Sequence, residues 1–137
     1  DVYIKIEHFD PEGKPVRVRF FGDIHGGTSG VIRASHRELD KKRSKMKKAR
    51  PVLTHTNLQK LNPGEIVELP IALWPFTFKW YKGDTLKVTI LDSLIRTGAG
   101  ADMMTKTTEG KVVNKGKHII HTGGQYASVL TLPIIEL

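Results

Sequence analysis

The feature that most constrains this chain is a side-chain period of two that returns along its length. Val2, Ile4 and Ile6 alternate with Tyr3, Lys5 and Glu7, and Val16, Val18 and Phe20 alternate with Arg17, Arg19 and Phe21. Successive side chains of a strand point to opposite faces, so this pattern gives strands with one buried face. Between the two runs lies Asp10-Pro11-Glu12-Gly13-Lys14, with proline and glycine where a tight turn needs them. Strand, turn and strand predict a hairpin. Thr85, Lys87 and Thr89 alternate with Leu86, Val88 and Ile90 after a Lys82-Gly83-Asp84 turn. Residues 117–121 and 128–135 supply the last expected strands.

Other segments are less regular. Residues 26–30, Gly-Gly-Thr-Ser-Gly, read as a loop by composition. Residues 31–39 fit a short strand followed by a helical turn. Asn62-Pro63-Gly64 predicts a turn before an extended run at residues 65–73. Pro70 confines that run to a sheet edge or a bulge, because proline has no amide to donate. No segment sustains a helical period. Short strands separated by Gly/Pro turns indicate an all-β fold, an antiparallel sandwich or barrel. The 137 residues suit one domain, expected to carry a basic loop at 40–51 and a long polar loop at 92–110.

The net charge is +8, but seven basic side chains and no acid fall within residues 41–50, leaving +1 for all the rest. Like-charge blocks mark solvated or mobile segments. A nucleic-acid face would add basic groups from other elements or aromatics for stacking, so a nucleic-acid partner is not expected. No apolar stretch nears the roughly 20 residues that span a bilayer, and no membrane partner is expected. The chain has no cysteine, which excludes disulfides, thiolate metal sites and cysteine nucleophiles and fits a reducing, cytoplasmic compartment.

Catalytic chemistry is hard to place. Gly27-Thr28-Ser29-Gly30-Val31 lacks the final glycine of a nucleophile elbow. Ser35 and His36 are neighbours and, on a strand, would point to opposite faces. The H-x-x-H of His118 and His121 puts the two rings on opposite sides of an extended segment, and His25, His36 and His55 have no acidic cluster beside them. No catalytic residue, metal ligand or cofactor site is therefore expected. Trp74, Trp80 and Tyr81 remain as contact candidates. Trp74, before Pro75, suits a plug at the end of a sandwich, and Trp80 and Tyr81 alternate faces, so at most one of them points outward. Their readings are core or interdomain packing, or a platform for stacking sugars.

Four ordered motifs resemble a known family. They are Ala34-Ser35-His36-Arg37-Glu38-Leu39-Asp40 with Arg50-Pro51; Leu61-Asn62-Pro63-Gly64-Glu65-Ile66-Val67 leading to Leu73-Trp74-Pro75-Phe76-Thr77; Lys82-Gly83-Asp84-Thr85-Leu86-Lys87-Val88; and Thr122-Gly123-Gly124-Gln125-Tyr126-Ala127-Ser128 with Leu132-Pro133-Ile134-Ile135. Together they resemble the C-terminal domain of CocE/NonD hydrolases, which include X-Pro dipeptidyl-peptidases and acyl esterases. The resemblance implies a jelly-roll, galactose-binding-like β-sandwich that packs on an α/β-hydrolase domain of the same parent chain. The Ser-Asp-His triad would lie in that other domain. Against the family pattern, a glycine-led strand before Asp1 is missing and the 92–110 loop lacks the usual proline- and asparagine-rich text. The expectation is then a truncated sandwich over residues 1–137 with an exposed sheet edge that favours self-association. A carbohydrate-binding module is the alternative.

Overall fold

The computed structural model describes residues 1–20, 23–92 and 117–135. The all-β expectation holds. Among the described residues five strands form, β1 (Val2–Phe9), β2 (Val18–Phe20), β3 (Asp23–His25), β4 (Gly27–Ile32) and β5 (Thr85–Leu91), and the helical content there is two short 3-10 turns, Ala34–His36 and Met46–Lys48. Among the described residues no helix is long and apolar enough to cross a membrane.

The main sheet is antiparallel with the order β4-β1-β5. Ile4 pairs with Gly30 on one side and Ile90 on the other, and Ile6 with Thr28 and Val88. Because facing residues share a side of the sheet, one face collects Val2, Ile4, Ile6 and His8 of β1, Ile32 of β4, and Leu86, Val88 and Ile90 of β5. Val2, Ile6 and Ile32 are its buried apolar members. The opposite face is polar at its centre and carries Tyr3, Val31 and Leu91 at one end, with Lys5 and Glu7 joined by a 2.7 Å ion pair.

The expected hairpin begins as predicted and is then diverted. Gly13 closes the turn at φ +78°, and its amide donates to the Asp10 carbonyl at 3.0 Å. Phe9 bridges Pro15, and the Val16 amide reaches the His8 carbonyl at 2.9 Å. Beyond that point the second strand leaves β1 and pairs with β3, forming a separate two-stranded sheet. The edge it vacates is taken by β4, which spans residues 27–30 expected to be a loop.

Glycine is the reason for that reversal, being a requirement of the strand rather than a break in it. A Cβ on Gly27 would collide with the Ile6 carbonyl, and one on Gly30 with the Ala72 carbonyl. The two positions admit close backbone approach from two different neighbours.

Residues 65–73, expected as an edge strand, form no ladder. Pro70 lacks the donor a ladder needs, and the contacts to β4 come at the end of the run. Residues 117–121 and 128–135 also form no strands. They flank a turn in which the Tyr126 amide donates to the Gly123 carbonyl at 2.9 Å, and a hydrogen bond links Ser128 Oγ to the His121 carbonyl at 3.3 Å. Val129, Ile134 and Ile135 are exposed there. Alternation alone does not supply a partner strand. The 92–110 loop lies, beyond Asp92, outside the described residues.

Candidate functional site

Residues 74–81 carry the aromatic side chains singled out above, and the structure sets that segment against the sheet by fixed attachments at both ends. At the first end, the Trp74 amide donates to the Ser29 carbonyl at 2.9 Å, while Thr28 Oγ1 donates to the Trp74 carbonyl at 2.6 Å. The backbone of Trp74 is thus held from both sides by β4. Its ring is 75% exposed, which corrects the expectation that it plugs the end of a sandwich.

At the other end sits a pair that the sequence reading overlooked. His8 Nε2 lies 2.6 Å from Asp84 Oδ2, with side-chain exposures of 2% and 5%. The same carboxylate oxygen accepts the Tyr81 amide at 2.8 Å. The Trp80 ring stacks on His8 at 3.9 Å between centroids, and Phe78 meets His8 edge-on at 5.5 Å. Phe76 continues the series, 4.6 Å from Phe78. One carboxylate therefore ties β1 to the end of the aromatic segment. The Asp84 carboxyl is held below the usual carboxylate range, first by the Tyr81 amide and then by the His8 hydrogen bond. A period-two reading extended one step past Ile6 would have placed His8 on the buried face.

Trp80 and Tyr81 are both exposed, at 40% and 64%, where alternation predicted one outward ring at most. Trp80 packs against His8 and meets Phe78 edge-on at 6.0 Å between centroids. Tyr81 has Lys79 Nζ 5.2 Å from its ring centroid. On the β5 side, Val88 and Ile90 are also exposed, at 46% and 44%. They share the side of the sheet that includes Ile4 and Ile6, as expected, but are not covered.

The polar residues of the resembling motifs serve architecture. Arg37 donates to the Ala34 carbonyl at 3.0 Å and to the Gln59 carbonyl at 2.7 Å, and it pairs with Glu65 at 3.4 Å. Glu65 in turn accepts both the backbone and side-chain amides of Asn62, at 2.8 and 3.0 Å. Its carboxyl is held low by the Asn62 backbone amide first, then by the Asn62 side chain and the Arg37 charge. Glu38 accepts from Thr54 and Asn57. Two motifs separated in sequence are thereby joined through Arg37 and Glu65.

Ser35 and His36 require a correction. They lie on a 3-10 turn rather than a strand, and Ser35 Oγ is 3.2 Å from His36 Nδ1. A turn brings neighbouring side chains together where a strand separates them. The His36 ring also meets that of His55, 6.2 Å between centroids. Among the described residues no carboxylate bonds to His36, so the group that would orient a base is not supplied there. Nor does any set of three or more His, Asp or Glu among the described residues converge to hold a metal ion. The arrangement combines a backbone fixed by hydrogen bonds with aromatic and aliphatic side chains left exposed.

Over residues 1–131 the chain matches the model of a family described as the X-Pro dipeptidyl-peptidase C-terminal non-catalytic domain. Two crystal structures of a CocE/NonD family hydrolase from Staphylococcus aureus are similar to it, each with 32% identity and a TM-score of 0.64, over 73% of this chain and 18% of that chain. The chain thus corresponds to less than a fifth of that hydrolase. No curated protein matches.

Proposed function

Because the chain belongs to the family of X-Pro dipeptidyl-peptidase C-terminal non-catalytic domains, we propose that it supports the α/β-hydrolase domain of a serine hydrolase of the X-Pro dipeptidyl-peptidase or acyl esterase class. On this reading residues 1–137 are a single accessory domain, a sandwich of the jelly-roll, galactose-binding-like kind. It docks on the catalytic domain through Trp74, Trp80 and Tyr81.

The observation that carries the docking surface is the contrast at Trp74, a backbone hydrogen-bonded on both sides to β4 and a ring 75% exposed. An exposed aromatic on a fixed backbone loses little further freedom on binding, and aromatic anchors dominate interface energetics. Trp80 and Tyr81 extend that surface. The carbohydrate-binding alternative gains no support from the family or from the similar structures.

Two measurements test the proposal. The chain alone is expected to show no turnover of X-Pro-nitroanilide or short-chain nitrophenyl esters, and turnover blocked by a serine-directed phosphonate would overturn it. In the intact parent, Trp74→Ala with Tyr81→Ala is expected to uncouple thermal unfolding into two transitions, at a cost of about 2 kcal/mol or more per anchor. Unfolding unchanged by both substitutions would remove the aromatic surface from the interface.

A further inference from the structure

Residues 41–50, which the docking proposal does not use, form a framed projection rather than a free coil. Leu39 bridges Leu53 at its base, and the Asp40 amide donates to the Val52 carbonyl at 2.8 Å. Asp40 Oδ1 accepts the amides of Lys42 and Arg43, both at 3.0 Å. Ser44 Oγ donates to the Val52 carbonyl at 3.1 Å and accepts the Val52 amide at 3.0 Å. Lys45 and Arg50 bridge in both directions, at 2.8 and 3.2 Å, and Ala49 takes a left-handed φ of +51° to close the tip. Every one of these bonds uses backbone, Asp40 or Ser44. The seven cationic side chains are left exposed, and among the described residues none forms a salt bridge. At the tip, beside Lys45, Lys47 and Lys48, Met46 is 52% exposed.

Against the expectation of no membrane partner, which rested on the lack of a spanning segment, we infer that this projection is a docking surface for an anionic lipid bilayer, on which the lysines and arginines meet phosphate headgroups and Met46 enters the headgroup boundary. Juxtaposed basic groups are drawn to an anionic leaflet within a Debye length, each adding to the attraction. An apolar side chain at the same tip gains by leaving water at such a surface. A nucleic acid fits less well. The loop has no aromatic to stack on bases, and a single segment supplies the charge where a groove would draw on several.

The test is co-sedimentation of the full chain with vesicles of phosphatidylcholine, with and without phosphatidylglycerol. Binding is expected with the anionic vesicles only and is lost in high salt. Lys45→Glu, Lys47→Glu and Lys48→Glu together weaken it on the order of a hundredfold or more, with circular dichroism unchanged. Met46→Ser weakens it severalfold while conserving charge. Equal binding to neutral vesicles, no binding to anionic ones, or retention by the charge-reversed chain overturns the inference. Tighter binding to duplex RNA or DNA than to vesicles, indifferent to Met46→Ser, also overturns it and assigns the loop to nucleic acid.

Discussion

His8 shows how much one side chain organises here. It takes the buried place that the alternation of β1 reserves for an apolar residue, and it is tolerated because Asp84 lies 2.6 Å from Nε2. Buried polar groups need such partners. Among the described residues Nδ1 has no hydrogen-bond partner, so there the Nε2–Asp84 bond carries the compensation. Asp84 and Glu65 both have depressed carboxyl pKa values. Each group therefore binds protons more readily in the unfolded chain than in the fold. Their contribution is complete above the ordinary carboxyl pKa of about 4 and is lost as pH falls through the lower folded value. Urea midpoints should fall on acidification across that window. Asp84→Asn should reduce the slope, and adding Glu65→Gln should reduce it further. An acid limb unchanged by both substitutions would separate stability from these carboxylates.

Among the elements, β4 depends most on what its residues lack. Gly27 lies against the Ile6 carbonyl and Gly30 against the Ala72 carbonyl, and in both cases the obstacle to a side chain is backbone, which cannot rotate away. Gly27→Ala and Gly30→Ala should each destabilise the domain by about 1–3 kcal/mol, as overpacking does. Gly26→Ala is the control, since its Cβ would meet nothing nearer than Arg17 Cγ at 3.8 Å. Thermal unfolding of the three variants gives the comparison, and equal melting temperatures would refute the close-approach account. The same two glycines explain why composition misassigned this stretch. Gly-Gly-Thr-Ser-Gly has the text of a loop, and the ladder that makes it a strand comes from β1.

At the scale of the whole molecule, the apolar side of the sheet is covered unevenly. The aromatic segment meets β4 at Trp74 and β1 at His8, whereas Val88 and Ile90 of β5 stay exposed. Among the described residues β5 has β1 as its strand neighbour and no second one. Exposed apolar residues beside an unpaired edge invite association. Sedimentation velocity on the chain alone should show association that grows with concentration and diminishes in Val88→Thr with Ile90→Thr, substitutions that keep strand propensity. A strictly monomeric chain at high concentration, unfolding in one cooperative transition, would count against an uncovered face.

The sequence by itself determined the strand class, the turns at Gly13, Gly64 and Gly83, the solvated charge of residues 41–50 and, through four ordered motifs, the family. All of these are local properties: side-chain period, backbone freedom and solvation are written within a few residues. Tertiary structure alone decided that β4 displaces β2 beside β1, that Arg37 reaches Glu65, that Ser35 touches His36, and that His8 meets Asp84 across 76 positions. Such pairings depend on which distant backbone competes for an edge and which charge is carried to a buried partner. Periodicity states that a face needs covering, and only the folded chain settles what covers it.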